Sequence, residues 1–373
     1  MKVIVERAEL LKSLSHVHRV VERRNTIPIL ANVLMRAGSG GLELKATDLD
    51  LEVVETVPAD VGQPGATTVP AHVLYDIVRK LPEGAQVALE ISGERGSLQV
   101  RAGRARFTLQ TLPEADFPDL AAGEFSHAFE LTGADFRRLV DKTQFAISTE
   151  ETRYYLNGIF LHVATAADGT SVLRAVATDG HRLAQAQMPA PQGAQGMPGV
   201  IVPRKTVAEI QKLLENKEAS VSVSLSPTKI RVAVGAIVLT SKLIDGTFPD
   251  YGRVIPQNND KTLVVDKADF AAAVDRVSTV SSERGRAVKL SLLEGRLVLS
   301  VTNPDSGSAT EELEVDYAAE PLDIGFNSRY LLDITSQLEG DTAELKLADP
   351  GSPTLVCDRA GTNALYVLMP MRV

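Results

Sequence analysis

The same order of helix and strand patterns occurs three times along the 373-residue chain. Each third opens with a helical pattern, continues with a strand that runs into an Asp or Asn turn, and closes with a second helix and alternating segments. The matching positions are Glu9, Asp135 and Asp269 in the first helix, and Asp48, Asp179 and Asn303 in the turn. A repeat of this kind predicts three α+β domains, at residues 1–127, 128–258 and 259–373. The length agrees, because a single core rarely grows to this size.

Local signals predict the elements inside each repeat. Thr132 and Asp266 are candidate N-caps, each followed three residues later by an acid that suits the positive end of a helix. Pro70 and Pro203 fit the first turn of the second helix, and Asn327 can cap the equivalent helix. Segments such as VALEI, VSVSLS and AELKLA alternate apolar and polar residues, which indicates half-buried antiparallel strands. We therefore expect two helices packed on antiparallel sheets in each domain.

Similar domains joined head to tail present the same pair of complementary surfaces repeatedly, so the assembly closes into a ring or grows into a filament. Closure is the natural expectation. The net charge of −9 argues against a nucleic acid partner, because Lys and Arg must neutralise phosphates. The helices nevertheless gather basic residues: Arg7, Lys12, Arg19, Arg23, Arg24, Arg79, Lys80, Arg137, Arg138, Lys142, Lys205, Lys212 and Lys217. A basic, helix-lined hole inside an acidic exterior would reconcile the two observations, and ordinary solvated helix faces are the alternative.

Two features concern the compartment. The single cysteine, Cys357, excludes an internal disulfide framework and fits a reducing compartment. The N-terminal stretch MKVIVERAELLKSL is interrupted by charges, so it predicts neither a signal peptide nor a membrane span. We expect a cytoplasmic protein that needs no cofactor or metal, because the sequence has no phosphate-binding loop and no His/Cys cluster with metal-ligand spacing.

Ordered segments along the whole chain carry a family resemblance. They are RNTIPILANVL from Arg24, TDLDLEV from Thr47, RYYLNGIFL from Arg153, ATDGHRLA from Ala177, FPDYGRVIP from Phe248 and YVLMPMRV from Tyr366. With these segments the chain resembles the bacterial DNA polymerase III β subunits, the sliding clamps of the replicase. The resemblance implies a head-to-tail homodimer, a six-domain ring around double-stranded DNA that tethers the polymerase and has no chemistry of its own.

The resemblance also implies a peptide-binding groove between the second and third domains. Such a groove takes short linear motifs from polymerases, the clamp loader and repair proteins. One side would contain Leu156, Thr178, Gly180, His181, Arg182 and Leu183, with Pro249, Arg253 and Val254 nearby. The other side would contain Asn327, Tyr330, Val367, Leu368, Met369, Pro370, Met371 and Arg372. Met369 and Met371 are flexible enough to repack around different apolar anchors, while Arg182 and Asn327 can orient polar groups of a peptide.

The resemblance also implies that Arg24, Arg153 and Tyr155 contact DNA. The loop before Arg153 reads STEET, and its acids Glu150 and Glu151 are expected to repel phosphate there. Gly285 stands where family members can carry an aromatic residue at the edge of the groove. For the ring interface, the resemblance implies a strand edge around Phe107 and Leu109 against the helix around Val277 and Val280.

Two other functions are compatible with parts of the sequence. An adaptor could bind peptides through the same groove without encircling DNA. A hydrolase could use Asp179 and His181, which lie two residues apart on one face of a strand. The hydrolase would also need a nucleophile and an orienting group, and the sequence contains no G-x-S-x-G motif.

Overall fold

The computed structural model describes residues 1–92, 96–120, 123–281, 286–358, 361 and 363–373. They form two compact units, which consist of Met1–Ala134 with Ala208–Leu243, and of Asp135–Val207 with Ile244–Val373. Within the described ranges, no helix is both long and apolar enough to cross a membrane.

The first unit contains one five-stranded and one eight-stranded sheet. Its strands are β1 Lys2–Glu6, β2 Asn32–Gly38, β3 Gly41–Thr47, β4 Leu51–Val57, β5 Asp60–Gln63, β6 Gly65–Pro70, β7 Gln86–Ser92, β8 Ser97–Ala102, β9 Ala105–Gln110, β10 His127–Thr132, β15 Ser220–Leu225, β16 Lys229–Val234 and β17 Ile237–Lys242. Helices α1 Arg7–Val17 and α2 Ala71–Lys80 pack against each other, and α1 also lies on the larger sheet. The strand orders are β5-β1-β7-β8-β9 and β10-β15-β16-β17-β4-β3-β2-β6.

The second unit contains one eight-stranded and one four-stranded sheet. Its strands are β11 Gly158–Thr165, β12 Ser171–Thr178, β13 Arg182–Pro189, β14 Val200–Pro203, β18 Lys261–Asp266, β19 Ala287–Leu293, β20 Arg296–Asn303, β21 Gly307–Glu314, β22 Leu322–Asn327, β23 Thr342–Leu347, β24 Thr354–Asp358 and β25 Ala364–Leu368. Helices α5 Lys267–Ser278 and α6 Ser328–Thr335 pack together. The strand orders are β14-β11-β12-β13-β25-β24-β23-β18 and β21-β20-β19-β22.

Two more α-helices and five short 3-10 helices complete the described elements. The α-helices are α3 Gly133–Thr143 and α4 Arg204–Leu213. The 3-10 helices are Pro28–Ala31, Glu114–Asp116, Gln144–Ala146, Glu151–Leu156 and Tyr251–Val254.

The two eight-stranded sheets have the same plan. Each consists of two sets of four strands that lie side by side. One set is β10-β15-β16-β17 in the first sheet and β18-β23-β24-β25 in the second, and it joins the other set through the pairs β17–β4 and β25–β13. Both of these joining pairs are antiparallel. Ser241 lies opposite Leu51 in one pair, and Leu368 lies opposite Arg182 in the other. The predicted α+β class with antiparallel sheets is therefore confirmed, and the sequence repeat is a repeat of sheet architecture.

The predicted helix starts are confirmed in part. Asp266 caps α5 by accepting a hydrogen bond from the Asp269 amide, and Asn327 caps α6. Pro70 and Pro203, however, are the last residues of strands β6 and β14 and precede the helices. Both strands lie at the edge of a sheet, where the missing N–H of proline removes no ladder hydrogen bond.

Candidate functional site

The turn between β12 and β13 is held by its own side chains. The Thr178 hydroxyl donates to the Arg182 carbonyl at 2.7 Å and accepts from the Gly180 amide at 3.1 Å. Asp179 Oδ1 accepts from the amides of His181 and Arg182, at 2.9 and 3.0 Å. Gly180 has φ +87°, which a residue without a side chain adopts freely. The Asp179 carboxylate therefore shapes the turn and forms no bond with the His181 ring, so the two do not make an acid-base pair.

The first unit contains the same turn between β3 and β4. The Leu49 amide donates to the Thr47 hydroxyl at 3.1 Å, and the amides of Asp50 and Leu51 donate to Asp48 Oδ1 at 2.9 and 2.7 Å. Leu49 takes the position of the glycine, with φ +80°. The repeat read from the sequence therefore extends to single hydrogen bonds.

Arg182 is the centre of a buried network. Its side chain is 9% exposed and pairs with Asp179 at 3.1 Å and Asp333 at 2.5 Å. Nη2 donates to the Phe145 carbonyl at 2.7 Å, and the guanidinium lies 4.2 Å from the centre of the Tyr330 ring. Because its nitrogens are engaged within the chain, Arg182 holds the turn and Tyr330 in place rather than offering donors to a ligand.

An apolar cavity of about 160 Å³ lies beside this turn and is called the apolar cavity below. It is lined by Leu156, Thr178, Gly180, Arg182, Leu183, Pro249, Asp250, Tyr251, Val254, Val367 and Met369. Its base belongs to a core cluster that includes Leu156, Leu183 and Val367 with Phe248. The structure thus brings together many of the residues predicted for the groove, on three strands and two 3-10 helices and on the segments beside them.

Asp250 and Tyr251 also line this cavity and were not predicted. The Tyr251 hydroxyl is 2.9 Å from His162 Nε2 and accepts from Arg174 Nη1 at 3.1 Å. Burial lowers the pKa of His162. The signal was in the sequence, because Tyr251 ends the FPDY segment whose Pro249 was selected.

The C-terminal segment forms the opposite wall. The Met369 amide donates to the His181 carbonyl at 2.9 Å, and the Met371 amide donates to the Gly325 carbonyl at 2.8 Å. A Cβ atom at Gly325 would lie 2.7 Å from the Met371 carbonyl oxygen, so only glycine allows this approach. Met369 is an exposed apolar residue, at 38%.

The other predicted groove residues have different surroundings. Leu368 is fully buried, and Val254 is 47% exposed. Arg253 pairs with Asp250 at 2.8 Å on the surface. Pro370 is half-buried and Arg372 is exposed. The side-chain oxygen of Asn327, Oδ1, caps α6 by accepting from the amides of Arg329 and Tyr330.

A second cavity of about 370 Å³, called the polar cavity below, lies on the other side of the turn. It is lined by Phe145, Ile147, Ser148, Thr149, Glu150, Asp179, His181, Arg182, Arg329 and Tyr330. The rings of His181 and Tyr330 stack with centroids 6.4 Å apart. These two predicted groove residues therefore line the polar cavity and not the apolar one.

Arg153, predicted to contact DNA, is paired within its own loop. Its guanidinium binds Glu150 through two hydrogen bonds, at 2.5 and 2.8 Å. The hydrogen bond from Arg153 lowers the pKa of the Glu150 carboxyl. Glu150 is thus neutralised by Arg153 and does not stand as an isolated repulsive charge. Tyr154, which was not predicted, is 53% exposed and packs edge to face with Tyr155.

The residues predicted for DNA contact and the ring interface lie on the following surfaces. Arg24 is exposed in the first unit. Phe107 and Leu109 are half-buried on β9, the outer strand of the five-stranded sheet. Val280 is half-buried, whereas Val277 is 2% exposed, because it packs into the core under α5.

Several basic helix residues are engaged in ion pairs. Lys142 is 7% exposed, and its ammonium binds Glu339 at 2.9 Å and the Gln337 carbonyl. Arg137 pairs with Asp141 at 3.2 Å. The basic surface expected from the helices is accordingly smaller than the count of Lys and Arg indicates.

Comparison with known families decides the classification. Three family models match in order: the N-terminal domain of the DNA polymerase III beta subunit at residues 1–121, its central domain at 130–250 and its C-terminal domain at 252–372. The chain belongs to the DNA polymerase III β subunits, the β sliding clamps. The resemblance seen in the sequence is confirmed, and this family is one of non-catalytic replicase subunits.

Similar proteins within the family match over the whole chain. The beta sliding clamp of Caulobacter vibrioides is 55% identical and that of Escherichia coli K12 is 42% identical, with complete coverage of both chains in each case. The crystal structure of the sliding clamp from Bartonella birtlesii, bound to griselimycin, has a TM-score of 0.97 at 55% identity and full coverage. Gly285, predicted at the edge of the groove, lies outside the described residues.

Proposed function

We propose that two copies of this chain close head to tail into a ring around double-stranded DNA. The ring would tether the replicative polymerase in the cytoplasm. In each copy a groove formed by the site residues predicted above, with the apolar cavity as its deepest part, would take short linear motifs of polymerases and clamp-loader subunits. The three domains of each copy are proposed at residues 1–127, 128–258 and 259–373.

The observation that supports this proposal is a pair of sheet edges that are unpaired among the described residues, one in each unit. In the two eight-stranded sheets, equivalent sets of four strands join through β4–β17 and through β13–β25. The corresponding outer strands of the two smaller sheets are β9 and β21, and in the described residues neither has a partner on its outer side. Because similar halves join in similar ways, β21 of one copy would pair with β9 of the other, twice, and the ring would close.

Charges on these two strands are complementary. β9 and the turn before it expose Arg104 and Arg106, while β21 exposes Glu312 and Glu314. Opposite charges on facing strands stabilise a pair and disfavour pairing of β9 with a second β9. The apolar side chains of Phe107 and Leu109 would be covered at the same interface.

Peptide binding is supported by the shape and chemistry of the apolar cavity. Its lining is mostly apolar, it borders a flexible methionine, and its base is rigid core. A peptide would insert an apolar anchor there, and the burial of one large apolar side chain is worth about 1.5–3 kcal/mol. DNA contact would come from Arg24, Arg153 and Tyr155 through phosphates, without reading of base sequence.

The first test is the solution mass by light scattering over a dilution series. A mass near twice the 40.0 kDa of the chain is expected, and Leu109→Asp is expected to shift it toward one chain. Ile4→Asp is the matched control, because Ile4 is an exposed apolar residue on β1, an inner strand of the same sheet away from the β9 edge. A wild-type mass of one chain at all concentrations would exclude the closed dimer and favour an adaptor.

The second test is retention on DNA. Ring-shaped dimers loaded by their clamp loader on circular DNA are expected to stay bound at moderate salt and to be lost when the circle is cut. Equal loss from both forms would contradict encirclement.

A further inference from the structure

We infer that the polar cavity binds a carboxylate of the same peptide whose apolar residue occupies the apolar cavity. This inference rests on the proposed peptide binding and adds a second, chemically different contact to it. It assigns the specificity for an acidic flanking residue to Arg329 and Tyr330.

The acids that line the polar cavity already have their partners. Asp179 accepts from two main-chain amides and from Arg182 Nε, and both oxygens of Glu150 accept from Arg153. A basic ligand side chain would therefore compete with bonds that the chain has made. This arrangement disfavours a Lys or Arg of the peptide as the occupant.

The uncommitted polar groups of the cavity are donors. Within the described residues, the Tyr330 hydroxyl and the His181 ring form no hydrogen bond with another side chain or carbonyl. The guanidinium of Arg329 is 66% exposed, and among the described residues its recorded ion pair is the one with Asp333, at 4.0 Å. Asp333 in turn is bound by Arg182 at 2.5 Å, which leaves Arg329 the weaker partner. A planar guanidinium with a neighbouring hydroxyl donor matches a carboxylate.

Tyr330 is held in place before any ligand arrives. The Tyr330 ring lies under the Arg182 guanidinium at 4.2 Å and beside the His181 ring. Burial raises the pKa of the Tyr330 hydroxyl, so it keeps its proton and can donate at neutral pH. A binding group that is already oriented loses little entropy when a ligand binds.

The two cavities are close enough for one peptide. Arg182 lines both cavities, and the consecutive residues Gly180 and His181 line one each. An extended peptide advances about 3.3 Å per residue, so a few residues cross the turn. A volume of about 370 Å³ accommodates an Asp or Glu side chain with water.

The test uses nine-residue fluorescent peptides with a core of leucine and phenylalanine. One flanking position at a time carries Glu or its neutral isostere Gln, and the dissociation constants are measured by anisotropy at low salt. We expect one position at which Glu binds about five- to twentyfold tighter than Gln, which corresponds to the advantage of a charge-assisted hydrogen bond over the neutral hydrogen bond that Gln can still form. Arg329→Gln and Tyr330→Phe should each remove most of this preference, so that the Glu and Gln peptides bind the variant with dissociation constants that agree within about twofold.

Arg296→Gln is the matched control, because Arg296 is an exposed arginine of the same unit with a loose ion pair of 3.4 Å. The control should keep the full preference for Glu. Equal binding of Glu and Gln at every position would overturn the inference, and so would a preference that survives both variants. If Arg329→Gln lowers only retention on DNA, the cavity serves phosphate, and the inference is wrong. Failure of all the peptides, including the Gln series, would refute the peptide groove itself.

Discussion

Gly325 is expected to control the C-terminal wall of the apolar cavity, and Gly325→Ala tests this. An ideal Cβ atom at this position would lie 2.3 Å from Val373 Cγ1 and 2.7 Å from the Met371 carbonyl oxygen. The Val373 side chain is 63% exposed and can turn away. The Met371 carbonyl is backbone, so it must move, and with it the hydrogen bond of 2.8 Å from the Met371 amide to Gly325.

The magnitude follows from these contacts. Loss of one main-chain hydrogen bond removes about 0.5–1.5 kcal/mol, and crowding by one methyl group adds about 1–3 kcal/mol. If about 2 kcal/mol holds the C-terminal segment against Gly325, these costs leave the segment in place only part of the time. The apparent affinity for a peptide would then fall in proportion to the fraction of molecules with the segment in place. We expect peptide binding to weaken by about three- to tenfold. Global stability should change little, because the buried residues Tyr366 and Leu368 before the segment stay in their sheet.

The assay is peptide anisotropy together with thermal unfolding. Gly351→Ala is the control, since a Cβ there would meet its nearest atom at an ordinary 3.6 Å. Val373→Gly in the Gly325→Ala background should restore only part of the affinity, because the clash with the Met371 carbonyl remains. Unchanged affinity in Gly325→Ala, or full restoration by Val373→Gly, would refute the reasoning.

Three more outcomes are expected. Glu150→Gln should release Arg153 for phosphate and steepen the dependence of log K for DNA on log salt by about one unit, measured by titration. Gly180→Ala should weaken peptide binding several-fold, because a Cβ at φ +87° strains the turn that lines the apolar cavity, whereas Arg153 Nη1 at 2.5 Å is the end of a flexible side chain and can move away. Lys45→Met should destabilise the first unit by about 3 kcal/mol in urea unfolding, because it leaves the buried Glu52 carboxylate without the ammonium at 3.0 Å.

Each of these outcomes has its own control. Glu294→Gln removes an exposed acid of the same unit and should leave the salt slope closer to the wild-type value than Glu150→Gln does. Adding Arg153→Ala to Gly180→Ala should restore little of the lost affinity, whereas Gly180→Asn should lose less than Gly180→Ala, because Asn adopts a positive φ more readily. Adding Glu52→Gln to Lys45→Met should recover part of the stability. An unchanged salt slope in Glu150→Gln, an unchanged affinity in Gly180→Ala or an unchanged stability in Lys45→Met would contradict the corresponding argument.

The parts of the fold that could be predicted from sequence are those set by neighbouring residues. The caps Asp266 and Asn327 act on amides two or three residues away, so their sequence pattern was sufficient. The repeat could be seen because the Thr-Asp turn is a local arrangement that recurs with the same side chains.

The parts that could not be predicted depend on distant partners. Arg182 is predicted to lie in the peptide groove, but the sequence did not show that its donors bind Asp333 and Phe145, far away in sequence. The sequence predicted a surface cation at Lys142, but this side chain is buried against Glu339. A sequence gives the charge of a side chain, while its availability depends on which acids the tertiary fold brings near.

The repeat places an apolar residue at one of two equivalent positions beside the turn and a charged residue at the other. The Lys242 amide donates to the Asp50 carbonyl as the Met369 amide donates to that of His181, so Lys242 occupies the place of Met369. There the Lys242 ammonium pairs with the Asp50 carboxylate at 2.9 Å. Opposite Met369 the corresponding residue is His181, which offers no carboxylate.

Met369→Lys should therefore put an unpaired ammonium at the edge of the apolar cavity. The loss of apolar burial against a peptide is about 1.5–3 kcal/mol, or about ten- to a hundredfold in dissociation constant, before the desolvation of the ammonium is added. Met369→Leu conserves volume and apolar character, so it should change the constant by less than about tenfold. If Met369→Lys binds the peptide as tightly as Met369→Leu does, the anchor does not pack against this side chain, and the difference between Met369 and Lys242 has no consequence for peptide binding.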